Sequence, residues 1–237
     1  MIDDSVYIDT SCKLGRNIVI EKDVKIGSNV SIGHNTVILE NTIIGDNVQI
    51  GCNNVVGCQP SKNTRIINDV KNQDALIIKE GSIIGNGVVL YAGTRIGEDV
   101  FIGDQASIRE NSNIGNSTVI GRCAKIECRT SIGSLCIIQT GAYITADMVL
   151  EDNVFIGPEV STSNDKHMKR SLTPLKGPYL KSGASVGNNA TLLPGIVIGK
   201  DSIIGAGSVV TKDVPDSTVF IGNPAKEMNA IKGRGKK

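Results

Sequence analysis

The sequence of 237 residues lacks tryptophan, and only 3% of its residues are aromatic. Long apolar runs are also missing, since no stretch approaches the roughly 18 residues that a membrane-spanning helix requires. Met1 is followed by the residues IDDS, without a basic segment or an apolar core, so a secretory signal is not expected. These absences predict a cytoplasmic protein without membrane insertion, whose interior is filled by aliphatic side chains.

Neither sign of charge dominates, because 25 Lys and Arg residues stand against 24 Asp and Glu residues. No basic block indicates a nucleic-acid groove, so no nucleic-acid partner is expected. The six cysteines form no C-x-x-C pair, which favours free thiols in a reducing compartment over a disulfide framework. The two histidines are His34, predicted as a surface residue, and His167. No metal site is predicted.

The sequence does contain an aliphatic residue at every sixth position, with two interruptions. A smaller residue usually stands two positions earlier, and Gly, Asn or Asp often follows. Fixed internal periods are typical of solenoids. The three runs contain 29 positions, namely Ile8, Leu14, Ile20, Ile26, Ile32, Ile38, Ile44, Ile50, Val56; Ile78, Ile84, Leu90, Ile96, Ile102, Ile108, Ile114, Ile120, Ile126, Ile132, Ile138, Ile144, Leu150, Ile156; and Leu180, Val186, Leu192, Ile198, Ile204, Val210.

A period of six fits neither the 3.6 residues of a helical turn nor the simple alternation of a two-faced sheet. It fits short strands joined by turns, in which three strands close a triangular coil of 18 residues. Successive coils would stack as parallel strands about 4.8 Å apart, and about ten coils would form a prism of about 45 Å. The sequence therefore predicts an all-β parallel solenoid whose narrow interior has no room for tryptophan.

The six-residue period is interrupted between Gly57 and Ile77 and again between Gly157 and Tyr179. Long loops in a compact domain are uncommon unless they are functional or disordered, and solenoid loops commonly form a binding face. We therefore expect two extruded loops, 57–77 and 157–179, in a solenoid domain spanning residues 1–222. A short basic tail would follow at residues 223–237.

The hexad pattern resembles the left-handed parallel β-helix of the hexapeptide-repeat acyltransferases, and handedness is taken from that family. The stretch from NVFIGPEVSTSNDKHMKRS to VFIGNPAK is similar to the C-terminal half of coenzyme-A-dependent sugar acyltransferases. Ser163-Asn164-Asp165 stands close to the Thr-Asn-Asp triplet of the branch that N-acetylates nucleotide-linked amino sugars. VVGCQP and GVVLYAGTRIGEDVFIGDQASIREN, around the first gap, are similar to N-acyltransferases acting on dTDP-4-amino-4,6-dideoxyglucose.

The resemblance implies a coenzyme-A-dependent N-acyltransferase, most simply an N-acetyltransferase, acting in surface polysaccharide or O-antigen biosynthesis. The acceptor would be a nucleotide-linked amino-dideoxysugar, with dTDP favoured, and its amine would attack the thioester of acetyl-CoA or another acyl-CoA directly. A parallel prism has flat sides, and its loops need a partner to fold against, so we predict a homotrimer with three sites between subunits. A sugar O-acetyltransferase with His167 as general base, in the manner of galactoside-type enzymes, stays open as an alternative.

Residues 18 apart should lie one above the other, which stacks Asp104 with Arg122 and Arg109 with Glu127. Such pairs could be surface ion-pair ladders or could face a cleft between subunits. In the cleft interpretation Asp104 or Glu127 orients the ammonium of the sugar, and Arg109 holds phosphate or hydroxyl groups. Candidate catalytic residues are thus Asp104, Glu127 and His167, and candidate substrate-binding residues are Arg109, Asn164 and Asp165. By motif match, coenzyme A would contact Asn188, Ala206, Thr211, Lys212 and Lys226.

Other functions of the same fold fit less well. A zinc hydrolase of the γ-carbonic anhydrase type needs three histidine ligands at each interface, and the two histidines lie far apart along the prism. An ice-binding solenoid would show regular outward threonine arrays and no long loops. Serine and lipid-A acyltransferases carry a helical domain, for which this sequence has no segment of helical length.

Overall fold

The computed structural model describes residues 1–61 and 73–228, which form 32 β-strands and no helix. In chain order the first coils contain β1 (Tyr7–Ile8), β2 (Lys13–Leu14), β3 (Val19–Ile20), β4 (Lys25–Ile26), β5 (Ser31–Ile32), β6 (Val37–Ile38), β7 (Ile43–Ile44), β8 (Gln49–Ile50) and β9 (Val55–Cys58). The central coils contain β10 (Ile77–Ile78), β11 (Ile83–Ile84), β12 (Val89–Tyr91), β13 (Arg95–Ile96), β14 (Phe101–Ile102), β15 (Ser107–Ile108), β16 (Asn113–Ile114), β17 (Val119–Ile120), β18 (Lys125–Ile126), β19 (Ser131–Ile132), β20 (Ile137–Ile138) and β21 (Tyr143–Ile144). The remaining strands are β22 (Val149–Leu150), β23 (Phe155–Ile156), β24 (Ser161–Thr162), β25 (Tyr179–Leu180), β26 (Ser185–Val186), β27 (Thr191–Leu192), β28 (Val197–Ile198), β29 (Ile203–Ile204), β30 (Val209–Val210), β31 (Val219–Ile221) and β32 (Lys226–Glu227).

Every third strand belongs to the same sheet, so β1 to β30 form ten triangular coils. The first sheet starts with β1 and has 10 strands, the second starts with β2 and has 12, and the third starts with β3 and has 10. All pairings among these thirty strands are parallel, as in the ladder that joins Ile84 to Ile102 and Ile102 to Ile120. The all-β, parallel solenoid class predicted from the period is confirmed, and it is the architecture expected for a left-handed β-helix.

The core is a stack of aliphatic side chains inside the prism. Ile102, Ile120 and Ile138, for example, are each 0% exposed. The smaller residue two positions earlier fills the corner beside each aliphatic. Where this residue is polar, its hydroxyl is satisfied internally: the Thr36 hydroxyl donates to the Gly51 carbonyl at 3.0 Å, and the Thr118 hydroxyl to the Gly133 carbonyl at 2.8 Å. The narrow interior therefore tolerates small polar groups without leaving them unpaired.

Most turns from Asn17 onward contain a residue in the left-handed region of the backbone map. From Asn17 to Asn53 this residue is Asn or Asp at every turn, with φ between 55° and 60°. These side chains tolerate the left-handed conformation better than most. In the later coils, several left-handed turn positions carry residues that tolerate this conformation less well than Asn or Asp. These residues are Gln105, Ser117, Cys123, Arg129, Leu135 and Glu159.

The strands fall at all 29 predicted positions, and one more lies inside the predicted second loop. Strand β24 continues the rhythm at Thr162, where the sequence offers no aliphatic residue. Thr162 is 3% exposed, and its hydroxyl donates to the Tyr143 carbonyl at 2.9 Å and accepts from the Thr145 amide at 2.8 Å. Because these bonds satisfy the hydroxyl, threonine can replace the aliphatic residue. The second loop is therefore 163–178, which we call loop 2.

The first predicted loop falls mostly on residues 62–72, which lie outside the described residues. Strand β9 extends to Cys58, so the part before the gap begins as continued sheet. At the other end of the chain, β32 pairs antiparallel with β31. The predicted boundary at residue 222 thus falls inside a hairpin, and residues 229–237 of the predicted tail lie outside the described residues. No helical segment able to cross a bilayer occurs in the described ranges.

Replacing Ile120 by alanine should lower the free energy of unfolding by roughly 2–5 kcal/mol, because the side chain is fully buried and its coil neighbours cannot close the cavity. The control is Ile43→Ala, in which the lost side chain is 36% exposed. Denaturant midpoints measured by circular dichroism compare the two. An equal loss in both variants would contradict the inward assignment of the hexad aliphatics.

Candidate functional site

Both interruptions of the solenoid leave from the same edge of the prism. Strands β9 and β24 belong to the third sheet, and β10 and β25, which follow the interruptions, belong to the first sheet. We call the corner where the chain passes from the third to the first sheet the loop edge. Five coils, β10 to β24, separate the two interruptions, and the four loop-edge turns between these coils carry Tyr91, Arg109, Glu110, Glu127, Arg129 and Asp147.

Loop 2 is tied to the coils at both ends. Its two ends are joined by the Lys176 amide, which donates to the Asn164 carbonyl at 2.9 Å. The Asn164 side chain donates to the Ala146 carbonyl of the coil below at 3.2 Å. The chain re-enters the prism at Gly177, where an added Cβ would lie 2.8 Å from the Met148 Cα. Only glycine therefore allows the return at this point.

Asp165 shapes the tip of loop 2. Its carboxylate accepts the His167 amide at 2.9 Å and the Lys169 amide at 2.7 Å. These backbone donors, first Lys169 and then His167, hold the pKa of Asp165 below its usual value. Met168 and Lys169 are both left-handed, with φ of 49° and 64°. Asp165 therefore stays ionised and fixes a tight turn, and both of its oxygens are occupied.

His167 is exposed on this turn. Its backbone is held by Asp165, but no described residue forms a hydrogen bond with its imidazole. A histidine that acts as general base is normally oriented by a second group on its other nitrogen. One protomer, as far as it is described, does not supply that group.

Three cavities surround loop 2. One of about 800 Å³ lies on its C-terminal side and is lined by Ser163, Asp165, Lys166, Met168, Leu193, Pro194, Gly195, Ile196, Thr211, Lys212 and Asp213. One of about 430 Å³ lies on its N-terminal side and is lined by Arg129, Asp147, Asp165, Lys169, Ser171, Leu172, Thr173, Pro174 and Leu175. A cavity of about 270 Å³ includes Asn164 and His167 in its wall. Asp165 lines all three cavities, so loop 2 divides two larger spaces.

A further cavity of about 600 Å³ lies at the opposite end of the prism, between the first residues of the chain and the turns that contain Lys22 and Glu40. None of the predicted site residues lines it. It is the groove at the start of the coil stack, far from loop 2. Nowhere in residues 1–61 and 73–228 do three or more His, Cys, Asp or Glu side chains form a group that could hold a metal ion.

The predicted site residues are divided between two edges of the prism. Arg109, Glu127, Asn164, Asp165, His167, Thr211 and Lys212 are on the loop edge. Asp104, Asn188 and Ala206 follow strands of the second sheet and are on the edge between the second and third sheets, and Lys226 is in β32. A single protomer therefore does not bring them together.

Asp104 has a structural role. It accepts the Asn86 amide at 2.7 Å and the Asn86 side chain at 3.0 Å, and these bonds lower its pKa. Equivalent turns elsewhere use the same bond, as Asp46 accepts the Ser28 amide and Asp152 accepts the Ser134 amide, each at 2.7 Å. His34 does likewise, because its Nδ1 accepts the Arg16 amide at 2.6 Å. Asp104 therefore belongs to a series of turn caps.

The predicted stacking of Asp104 on Arg122 and of Arg109 on Glu127 produces no direct ion pair. Arg109 instead binds its neighbour Glu110, with Nε and Nη2 at 2.7 and 3.2 Å from the carboxylate oxygens. Its guanidinium also lies 4.6 Å from the centre of the Tyr91 ring. Arg109 pairs with Glu110 rather than with Glu127 because the Glu110 side chain is only 7% exposed, and a buried carboxylate must be paired.

Glu127 is left without a partner by these contacts. Its side chain is half-buried and makes no ion pair or hydrogen bond with the described residues. The Arg109 guanidinium, one coil below Glu127, is bound by Glu110. Arg129, two residues after Glu127, is bound by Asp147. Burial first, and then the charge of Glu127, raise the pKa of Tyr143 on the adjoining strand. Glu127 is therefore an available carboxylate on the loop edge.

Arg129 and Asp147 were not among the residues predicted from the sequence. The Arg129 Nε and Nη2 atoms lie 2.6 and 2.8 Å from the two oxygens of Asp147. The two residues are 18 apart and oppositely charged, so the stacking argument applied to Asp104 and Arg122 could have found them. Lys166 and Lys169, which line the cavities on opposite sides of loop 2, gave no such signal.

The family profile "Bacterial transferase hexapeptide (six repeats)" matches residues 23–58 and 177–212. The galactoside O-acetyltransferase of Lactococcus lactis is 36% identical over 99 residues, which cover 36% of this chain and 48% of that protein. The galactoside O-acetyltransferase of Escherichia coli is 35% identical over 95 residues, which cover 38% of this chain and 47% of that protein. The chain thus spans about half the length of the curated relatives that it matches.

Two solved structures are also similar. PerB from Caulobacter crescentus, in complex with CoA and GDP-perosamine, is 27% identical with a TM-score of 0.36, covering 60% of this chain and 54% of that chain. The UDP-N-acetylglucosamine acyltransferase from Campylobacter jejuni is 17% identical with a TM-score of 0.42, covering 96% of this chain and 74% of that chain. The expected resemblance to hexapeptide-repeat transferases is confirmed by the matched repeats.

Replacing Asp165 by alanine should open loop 2, because the His167 and Lys169 amides lose their acceptor. Trypsin should then cleave severalfold faster at Lys166, Lys169 or Arg170, measured by gel electrophoresis and mass spectrometry of the nicked chain. The control is Asp9→Ala, which removes a comparable turn bond to the Ser11 amide far from the loop. Unchanged cleavage in Asp165→Ala would show that the turn does not depend on this carboxylate.

Proposed function

We propose that this hexapeptide-repeat protein is a coenzyme-A-dependent N-acyltransferase, most simply an N-acetyltransferase, whose acceptor is a nucleotide-linked amino-dideoxysugar. The main support for this proposal is the position of loop 2, which separates a cavity of about 800 Å³ from one of about 430 Å³. Both are within the range of small-molecule sites. Such a division suits a reaction in which a donor and an acceptor meet across one turn of chain.

The larger cavity fits the acyl-CoA donor. Leu193, Pro194 and Ile196 offer an apolar wall for the pantetheine arm, and Lys166 and Lys212 offer cations for the phosphates. Thr211 and Lys212 were assigned to coenzyme A from the sequence, and they line this cavity. Asn188 and Ala206 are exposed on a different edge. They would reach the same coenzyme A from a neighbouring subunit, and Lys226 in β32 would approach its phosphates.

The acceptor amine would be oriented by Glu127, which forms no direct ion pair with the described residues. The neutral amine attacks the thioester carbonyl and forms a C–N bond, the C–S bond breaks, and coenzyme A leaves as the thiolate. A carboxylate takes the proton that the nitrogen loses, and the thiolate is protonated afterwards. Asn164 and Asp165 hold the loop against which the reactants align, and alignment supplies much of the rate.

Direct transfer is favoured over a covalent acyl-enzyme. Burial raises the pKa of the Cys128 thiol, which makes it a poor nucleophile at neutral pH. Cys123 is exposed but lies on the edge that does not carry loop 2. Ser163 borders the larger cavity, yet no described imidazole or carboxylate is bonded to its hydroxyl.

A sugar O-acetyltransferase is the second candidate, and the relatives named galactoside O-acetyltransferase favour it. A hydroxyl is a weaker nucleophile than an amine and needs a general base during attack. His167 would be that base, because it lines the cavity between the two larger ones. Its lack of an orienting partner in one protomer weighs against this role.

A homotrimer would complete the site. The outer face of the second sheet carries an uninterrupted apolar stripe formed by Ile83, Phe101, Val119, Ile137 and Phe155. Ile83, Phe101 and Ile137 are 40%, 43% and 40% exposed. Parallel sheets usually have both faces covered, so this stripe supports a subunit contact. Loop 2 also exposes Met168 and Leu172, at 81% and 104%, which a neighbour could cover.

The function is tested by offering acetyl-CoA with dTDP-4-amino-4,6-dideoxyglucose and, separately, with galactosides, and by following thiol release. We expect turnover with the amino sugar and N-acetylated product by mass spectrometry. Glu127→Gln should then lower turnover by about 10²–10⁴-fold, more than His167→Ala. Asp104→Asn tests the other carboxylate. Activity on the galactoside alone, lost in His167→Ala, would establish O-acetylation instead.

Replacing Phe101 by glutamate should dissociate the trimer, because a charge would lie in the middle of the apolar stripe. Sedimentation equilibrium should change from trimer to monomer, and transferase activity should be lost since each site needs two subunits. Tyr7→Glu is the control, because Tyr7 is 63% exposed on the outer face of the first sheet. An active monomer would refute the shared-site arrangement.

A further inference from the structure

The cavity on the N-terminal side of loop 2 is lined by four charged residues, Arg129, Asp147, Asp165 and Lys169. Both carboxylates are already occupied. Asp147 accepts two bonds from Arg129 at 2.6 and 2.8 Å, and Asp165 accepts two backbone amides. The groups left available are therefore donors, and the cavity favours an anionic ligand.

Two cationic donors in this cavity remain available to a ligand. Asp147 uses Nε and Nη2 of Arg129, which leaves Nη1 for a second partner. The guanidinium is held in one orientation, so little rotational freedom is lost when it binds. The Lys169 ammonium makes no ion pair within the described ranges. Leu172, Pro174 and Leu175 add an apolar wall beside these cations. Cations next to an apolar surface suit a phosphate group attached to a larger organic body.

The backbone conformation of Arg129 indicates that its side chain has a function. Its φ is 55°, and the equivalent loop-edge turns carry Asp23, Asn41 and Asn111. Arginine has no special tolerance for this conformation, and unfavourable backbone angles tend to be kept where a side chain has a function. Asparagine would adopt this backbone angle at a lower conformational cost, which points to the contacts of the guanidinium as the reason for arginine here.

We propose that Arg129 and Lys169 form the diphosphate subsite for the nucleotide of the acceptor. This inference rests on the proposed function and deepens it, because it selects a nucleotide-linked sugar over a free sugar. The donor, coenzyme A, also carries a diphosphate, but its cavity has its own cations, Lys166 and Lys212, on the other side of loop 2. Lys166 and Lys169 of loop 2 thus serve opposite sides, Lys166 the donor and Lys169 the acceptor.

The test measures dTDP binding by isothermal titration calorimetry and the KM of each substrate. Arg129→Met and Lys169→Met should each weaken dTDP binding and raise the KM for dTDP-4-amino-4,6-dideoxyglucose by about 10- to 100-fold, as expected for a lost charged hydrogen bond. The KM for acetyl-CoA should stay within about twofold, given the separate cations on the donor side. Asp147→Asn, which keeps the arginine but loosens it, should give a smaller effect in the same direction.

Lys22→Met is the matched control. Lys22 pairs with Glu40 at 3.1 Å on the same edge and with the same spacing of 18 residues, but far from loop 2. It should leave both KM values and dTDP binding unchanged. Thermal melting of every variant checks that the fold is intact, and Lys169→Met, which breaks no ion pair, keeps the test informative should Arg129→Met unfold.

The outcomes separate the subsite from the proposed function. A raised KM for acetyl-CoA, with dTDP binding intact, would assign the subsite to coenzyme A and overturn the proposal. Unchanged dTDP binding in both variants would overturn it as well, as would a native protein that binds no dTDP, UDP or GDP. If the native protein binds dTDP through Arg129 but transfers no acyl group, the subsite stands and the proposed function fails.

Discussion

The whole structure depends on the vertical register of the aliphatic residues. Ile102, Ile120 and Ile138 lie one above the other and are fully buried, and each pairs with the next through parallel backbone bonds. A shift of one residue would turn such a set outward, so the period of six cannot vary inside the prism. Chemistry can therefore be added only at the corners, where the chain is free to leave and return without a change of register.

This constraint explains the form of loop 2. The chain leaves after Thr162, whose hydroxyl bonds let it stand where an aliphatic residue is expected, and it returns at Gly177, where no side chain fits against Met148. The loop thus begins and ends on fixed coils, and Asp165 fixes its tip. A loop held at three points keeps the cavities on its two sides apart, and the proposed transfer needs such a fixed loop because a free loop could not keep two reactants in alignment.

The sequence predicted the fold almost completely, because the fold is the repeat. It missed the strand at Thr162, since a threonine in the aliphatic position is recognised only when its hydroxyl partners are known. It also paired Arg109 with Glu127 by stacking, although burial of Glu110 draws the guanidinium to that neighbour instead. Spacing predicts which residues share an edge, but the choice of partner depends on burial and rotamer, which spacing does not contain. The outward apolar stripe from Ile83 to Phe155 also repeats every 18 residues, but its spacing does not say what covers it.

The distribution of turn residues shows how stability and function are divided along the prism. The early coils keep Asn or Asp at each left-handed turn, whereas Arg129 and other unfavourable residues occur in the coils between the two interruptions. Each non-glycine residue without local hydrogen-bonding ability costs of order 1–3 kcal/mol in this conformation. In a solenoid, stability is close to a sum of neighbouring coil contacts, so central coils with regular neighbours on both sides can sustain that cost. The proposed site therefore lies in the part of the stack that is best able to hold strained turns.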